Sequence, residues 1–361
     1  MLSIVIPTFN GLHLLRETLP SVLEAAQCFS DQARQPHQII VVDDGSKDGT
    51  PQALRQEFPA LEVVERPNNG GFARACNTGF QACRYPVVAL LNNDVRVTKE
   101  YFVHLVPHFE SPDVFAVTAR VFEWGEAVFA TGGKIGRFRR GFWSAYFNYD
   151  ATPEAARWIE EGRLLSFYAV GGFAAYQRRK LLELEGFNEL LSPFHWEDID
   201  LSYRGLKRGW TIRYEPRSNA FHRTSATIDA HYRRPAVVEA ATRNRLLFHW
   251  INIHRPSWLI SHFVVLAVML LTRIWAGDLA FYRAFLGAFK QIGTVRRLRR
   301  QEALASRRDD RQVARLLLDF YRRAPIQVYY DRDQVIRSHP GMKTVGSSQL
   351  AVGSTDAEGN G

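Results

Sequence analysis

Val87-Val88-Ala89-Leu90-Leu91 runs straight into Asn92-Asn93-Asp94. Five consecutive apolar residues after Pro86 predict a strand covered on both faces, with three polar side chains at its carboxyl end. In an open α/β sheet that end is where ligands bind, because strand ends and helix N-termini converge there and leave backbone donors unpaired. A lone carboxylate at such a place suits a hard divalent cation held against phosphate oxygens. Asn-Asn-Asp also turns a chain well, so this stretch alone leaves a metal site and a turn both open.

The residues before it repeat the pattern. Ile4-Val5-Ile6 predicts a first strand, ending in Pro7-Thr8-Phe9-Asn10-Gly11 and followed by a helix over Leu12 to Ala26. Ile39-Ile40-Val41-Val42 predicts a second, running into Asp43-Asp44-Gly45-Ser46-Lys47-Asp48-Gly49-Thr50. A short strand from Leu61 to Glu65 leads through Asn68-Asn69-Gly70-Gly71 to a helix from Phe72 to Cys83. Strands alternating with helices at this spacing indicate an α/β chain with a mostly parallel, doubly wound sheet. Consecutive parallel strands point the same way, so Thr8, Asn10, Asp44 and Asp94 are expected to converge on one edge. There Asp44 can accept hydrogen bonds from a base or a ribose. Arg74 and Asn77 share a face near a helix N-terminus, where an anion is favoured. Arg74 reads either as a contact to a nucleotide or as a surface arginine paired with a carboxylate.

From Val114 to Ala175 the pattern is less regular and rich in aromatic residues, among them Trp124, Phe142, Trp143 and Tyr149. They read as core or as a platform for a sugar or lipid-linked acceptor. Val170-Gly171-Gly172-Phe173-Ala174-Ala175-Tyr176 predicts a strand whose glycines Gly171 and Gly172 let a ligand or another backbone approach closely. His195-Trp196-Glu197-Asp198-Ile199-Asp200 opens a helix that closes on Lys207-Arg208-Gly209. Asp200 stands four before Arg204 and is expected to pair with it. Asp198 has no such local partner, and Glu197 and Asp198 either complement the helix dipole or do chemistry. Trp210 to Tyr214 predicts a further strand, His222 a metal or diphosphate ligand or a structural histidine, and Pro235 to Ile253 a helix.

The chain has 361 residues, 46% of them hydrophobic and 23% charged, enough for one large or two moderate globular domains. Cys28, Cys76 and Cys83 form no Cys-x-x-Cys pair, which points to a reducing setting without a disulfide framework or a zinc site. No basic region precedes the first strand and Pro7 ends it, which argues against a signal peptide. Of the net charge of +9, Arg273 to Arg337 holds +8, with fifteen Lys/Arg against seven Asp/Glu. Trp258 to Ala276, just before this block, is mostly apolar but contains His262. It reads as an interfacial or re-entrant helix, or as an ordinary buried one, and falls short of a clean span. Apolar surface beside basic charge favours an anionic membrane surface as partner, and no nucleic acid, for which no other motif is present. Residues from about Val345 are small and polar, and are expected to be disordered.

Taken together, Ile4-Val5-Ile6-Pro7-Thr8-Phe9-Asn10, Val41-Val42-Asp43-Asp44-Gly45-Ser46, Asn69-x-Gly71-Phe72, Asn92-Asn93-Asp94 and Glu197-Asp198-x-Asp200-Leu201 resemble the GT-A glycosyltransferases of family 2. The order of the motifs and the Asn-rich third one resemble the rhamnosyltransferase-like branch. The resemblance covers residues 1 to about 255, divided into a nucleotide-binding half (1–110) and an acceptor half (111–255). Residues 256–337 then form an apolar and basic helical region and 338–361 a disordered tail. It implies that Pro7, Thr8, Asn10 and Asp44 cup the nucleobase and ribose, with Arg74, Asn92 and Asn93 also on the nucleotide-sugar. It further implies that Asp94 holds Mg²⁺ or Mn²⁺, with His222 as a second ligand, and that Asp198 in the Glu197-Asp198 pair is the catalytic base. Asn92 stands where the family has the first aspartate of Asp-x-Asp, so a grip by two carboxylates is not expected. The implied activity is inverting transfer from a nucleoside-diphosphate sugar to a glycan or lipid-linked acceptor, in cell-surface polysaccharide synthesis. The implied place is the cytoplasmic face of the membrane, peripheral or monotopic. A processive polysaccharide synthase and a catalytically silent sugar-binding scaffold are the alternatives.

Overall fold

A computed structural model describes residues 1–125, 128–223, 234–275, 277–330 and 334–338. In chain order, β1 (Leu2–Thr8), α1 (Leu12–Ala33), β2 (His37–Asp43), α2 (Thr50–Glu57), β3 (Glu62–Glu65), α3 (Phe72–Ala82) and β4 (Val87–Leu91) alternate; α2 is an addition to the elements the sequence predicts. β1 and β4 are buried along their whole length. α1 runs seven residues past its expected end and through Pro20. Val22, Ala25, Ala26 and Phe29 continue the buried face at helical spacing, and that burial outweighs the one hydrogen bond proline removes.

The second half follows as β5 (Val95–Val97), α4 (Tyr101–Leu105), β6 (Val114–Glu123), β7 (Phe129–Thr131), β8 (Gly133–Arg139), β9 (Phe142–Ala151), α5 (Ala156–Glu160), β10 (Phe173–Gln177), α6 (Arg178–Glu183), α7 (Glu197–Lys207) and β11 (Thr211–His222). The described residues form one large sheet ordered β3-β2-β1-β4-β10-β6-β11-β5, with β7 on β6. β2, β1 and β4 are parallel, so their carboxyl ends share one edge. β10 is antiparallel to both β4 and β6, which makes the sheet mixed beyond β4. β10 starts at Phe173, so Gly171 and Gly172 lie in the turn before it. β11 continues past Tyr214 to His222 through a register shift between Glu215 and Asn219, and that extension brings His222 to the functional edge. The aromatic residues of the second half are largely core: Trp143 and Tyr149 are fully buried.

The C-terminal part comprises α8 (Arg234–Asn252), α9 (Pro256–Trp275), α10 (Leu279–Phe289), α11 (Ile292–Ala305), α12 (Asp310–Arg323), β12 (Ile326–Tyr330) and β13 (Gln334–Ser338). The region expected to be helical therefore closes on two strands. β12 pairs antiparallel with β9, because Ile326 and Val328 bury against the second sheet, ordered β13-β12-β9-β8. Of the expected disordered tail, 339–361 lie outside the described residues. α9 buries only His262 and Leu266 and leaves Ile260, Phe263, Val264, Val268, Leu271 and Ile274 exposed, so it is not an ordinary core helix. It is the one helix among the described residues long and apolar enough to cross a membrane.

Candidate active site

The parallel strand ends form a rim whose polar groups mostly satisfy one another. Asn93 Nδ2 donates to Thr8 Oγ1 at 2.9 Å, and both residues are buried. Asn10 has φ 49 and ties two loops together: its N–H donates to Ser46 Oγ and its Oδ1 accepts from the Lys47 N–H, both at 2.8 Å. The buried Asp44 carboxylate accepts from Arg66 Nη1 at 2.8 Å and from the N–H groups of Gly70 and Gly71 at 3.0 and 2.8 Å. It thereby pins the loop that leads into α3. Arg74 is turned aside to Glu189 (3.1 Å), which Asn77 also holds. The sequence reading carried both possibilities for Arg74, and here it is in an exposed ion pair.

The end of β4 differs. Asp94 Oδ1 and Asn92 Oδ1 are buried without a hydrogen-bond partner among the described residues. His222 Nε2 stands 3.4 Å from Asp94 Oδ1. An unpaired buried oxygen costs about 1–3 kcal/mol unless a ligand satisfies it. An open carboxylate oxygen beside an imidazole nitrogen is a donor set that fits Mg²⁺ or Mn²⁺. Among the described residues no cluster of three or more His, Cys, Asp or Glu surrounds it, so phosphate oxygens and water would have to complete the shell of such an ion.

Across the cavity, the chain enters α7 through His195 and Trp196, both with positive φ (71 and 74). Such backbone is strained in residues other than glycine. Asn244 of α8 holds it, donating to the carbonyls of Phe194 (2.9 Å) and His195 (3.0 Å). The bend delivers Glu197 and Asp198 to the cavity wall. Asp198 Oδ2 accepts from the Gly171 N–H at 3.1 Å and Oδ1 from the Ile199 N–H at 2.7 Å. Burial raises the Asp198 carboxyl above its ordinary value, while those N–H groups and the charge of Lys134 pull it back. Burial, and then the negative charge of Asp198, push the neighbouring Glu197 up to about 8. Glu197 Oε2 has no hydrogen-bond partner among the described residues. Asp200 forms the expected pair with Arg204 at 2.8 Å, fully buried.

The paired glycines serve this geometry. Gly172 has φ +99, and a Cβ there would lie 2.4 Å from Asn92 Cγ, so only glycine lets β10 start beside that side chain. Gly171 supplies the N–H that orients Asp198.

Asp94, Asn92, His222, Asp44, Thr8, Pro7 and Asp198 all line one cavity of about 920 Å³. Asn10 and Arg74 do not; Asn10 acts from behind the wall. Away from the strand ends the cavity turns apolar, with Phe142, Trp196, Leu246, Met269 and Phe281 as its wall. Met269 and Arg273 belong to α9 and Phe281 to α10, so the cavity reaches the same helices that expose apolar surface. Sequence reasoning missed Asn244, Lys134 and this lining role. The only local hint was that Arg273 and Met269 share a helix face with His262 and Leu266, the buried side of α9.

Residues 3–184 match the family described as Glycosyl transferase family 2, and the chain belongs to that family. It is 30% identical over 191 residues to a beta-monoglucosyldiacylglycerol synthase of Synechocystis, a match covering 51% of this chain and 37% of that protein. It is 33% identical over 113 residues to an undecaprenyl-phosphate 4-deoxy-4-formamido-L-arabinose transferase of Pseudomonas fluorescens, covering 30% of this chain and 32% of that one. The matched stretches thus span about a third of those relatives. In fold the chain is similar to GalNAc-T7, whose structure holds UDP, GalNAc and Mn²⁺, with a TM-score of 0.52 and 17% identity over 70% of this chain and 48% of the other.

Proposed function

We propose that the chain is an inverting glycosyltransferase that moves a sugar from a nucleoside-diphosphate sugar to a hydroxyl of a lipid-linked or glycan acceptor, in cell-surface polysaccharide synthesis. The observation that carries this reading is the single cavity with Asp94 and His222 at one wall and the oriented Asp198 at another. Residues 1–110 bind the donor, 111–255 the acceptor, and 256–337 the cytoplasmic face of an anionic membrane, as a peripheral or monotopic attachment. Asp94 and His222 would hold Mg²⁺ or Mn²⁺. That ion supplies positive charge against the diphosphate leaving group.

Asp198 takes the proton from the acceptor hydroxyl as the oxygen attacks the anomeric carbon. Its two backbone hydrogen bonds fix the direction in which the carboxylate faces. Glu197, raised to about 8, keeps its proton at neutral pH and leaves the negative charge on Asp198. Thr8, Asn93 and the loop pinned by Asp44 form a rigid seat for base and ribose, in place before the donor arrives. The names of the two bacterial relatives, one a diacylglycerol and one an undecaprenyl-phosphate enzyme, and the apolar end of the cavity favour a lipid-linked acceptor. The resemblance of the Asn-rich motif makes dTDP-rhamnose the first donor to test. Calorimetry with UDP-, GDP- and dTDP-sugars with and without Mn²⁺, alongside a hydrolysis assay, tests the reading. Metal-dependent donor binding with turnover is expected. Binding without any turnover would indicate a sugar-binding scaffold instead.

A further inference from the structure

A second cleft of about 370 Å³ lies where the tip of the β8–β9 hairpin meets α8 and α9, lined by Arg139, Arg140, Phe142, Arg245 and Val265. It shares Phe142 and Arg245 with the main cavity. Three of its five lining residues are guanidinium groups, and Arg139 and Arg140 are exposed, with no carboxylate partner among the described residues. These charges lie outside the basic C-terminal block.

The tip is built onto α9. Trp250 Nε1 donates to His262 Nε2 at 3.1 Å, which leaves the proton on Nδ1 to donate to the Gly141 carbonyl at 2.9 Å. A Cβ on Gly141 would stand 2.7 Å from Ser261 O and His262 Cα, so the hairpin rests on the helix backbone itself. Arg140 and Gly141 both have positive φ (49 and 75), the geometry of a two-residue turn in which Asn-Gly is the usual pair. Arginine at the first position is conformationally unfavourable, and strain retained at a charged residue points to a use for that residue. Next to it α9 carries its exposed row, beginning with Ile260, Phe263 and Val264. Clustered guanidiniums beside an exposed apolar row have the chemistry of a headgroup site, with charge for phosphate and apolar surface for the chain attached to it.

We infer that this cleft binds the phosphate of a membrane lipid headgroup, the lipid's apolar chain lying along α9. The inference rests on the membrane-attached reading above and goes further, assigning a discrete site where that reading needs only diffuse charge. The test is sedimentation of the full chain with phosphatidylcholine vesicles, with and without phosphatidylglycerol, using R139Q/R140Q and the control R296Q/R297Q/R300Q on α11. Diffuse attraction contributes about equally per Lys or Arg, so it predicts the larger loss for the triple variant. A built site predicts the reverse: R139Q/R140Q weakens binding to phosphatidylglycerol vesicles by about 30-fold or more, exceeding the triple variant despite one charge fewer. R140G is expected to melt higher than the parent, because it relieves the turn, and yet to bind these vesicles less well. Losses that rank with the number of charges removed would overturn the inference, as would equal binding to neutral and anionic vesicles. Inorganic phosphate that raises the melting temperature of the parent and not of R139Q/R140Q, while R139Q/R140Q binds phosphatidylglycerol vesicles as well as the parent does, would assign the cleft to free phosphate instead. Donor calorimetry on the unaltered chain reports on the glycosyltransferase reading separately: vesicle preference without donor binding would sink that reading and leave this one standing, and donor binding without vesicle preference the opposite.

Discussion

Asp44 and Asp94 are both buried aspartates, at the carboxyl ends of the two parallel strands that flank β1, yet their surroundings are opposite. Asp44 has both oxygens engaged, by one guanidinium and two backbone N–H groups. Asp94 has an oxygen with no hydrogen bond among the described residues and an imidazole close by. A saturated carboxylate holds structure, and an unsaturated one is kept for a ligand. The same contrast separates the rim of strand ends at Thr8, Asn10 and Asp44, whose side chains are hydrogen-bonded, from the cavity wall at Asn92, Asp94 and Glu197, where polar atoms have no partner among the described residues.

The contrast can be broken by substitution. The largest effect is expected from Asp198→Asn, which removes the base and keeps its shape, at the loss of one of the two N–H hydrogen bonds it accepts. Turnover should fall by roughly 10²–10⁴-fold, with donor binding retained in calorimetry. Near-normal turnover would remove Asp198 from the mechanism. Asp44→Ala and Asp94→Ala then form a matched pair. Asp44→Ala strips a buried ion pair and two N–H groups of their acceptor and should cost about 3 kcal/mol in urea unfolding. Asp94→Ala should cost little or nothing in stability and should abolish the Mn²⁺ dependence of donor binding. Equal stability losses in the two would erase the distinction drawn here.

Glu197 sharpens it through pH. Its folded value of about 8 lies above its ordinary 4.5, so the folded state binds the proton more tightly than the unfolded chain. The stability from this group is fully present below about pH 4.5 and is lost as pH rises towards 8. Glu197→Gln should flatten that decline in melting temperature, and an unchanged pH profile would show that Glu197 is not protonated in the fold. The smallest effect is expected at the exposed apolar row: Leu271→Ser should change stability by no more than about 0.5 kcal/mol, while reducing recovery with anionic liposomes. A large loss of stability would mean that the row is covered.

Much of the N-terminal half was legible in the sequence. Apolar runs ending in Thr8, Asp44 and Asp94 fixed both the strands and their common edge, since parallel strands separated by helices leave one side for all their carboxyl ends. The Asp200–Arg204 pair was legible too, being a matter of helical spacing. Other features were not. The opposite states of Asp44 and Asp94 depend on loops more than twenty residues away that supply N–H groups to one and not to the other. α1 passing its proline, β11 extending to His222, and the C-terminal strand β12 pairing with β9 all follow from burial against distant elements. Local propensity carries no record of them.

By itself, then, the sequence determined the alternation of elements, the rim of polar strand ends and the candidate pair of carboxylates, because these depend on periodicity and on turn chemistry within a few residues. Only the tertiary structure decided which carboxylate is a clamp and which is open, that Gly171 aims Asp198 and Gly172 makes room for Asn92, and that α9 both lines the cavity and exposes an apolar row. Hydrogen-bond saturation and burial are properties of what packs against a residue, and that is settled by chain segments that meet only in the fold.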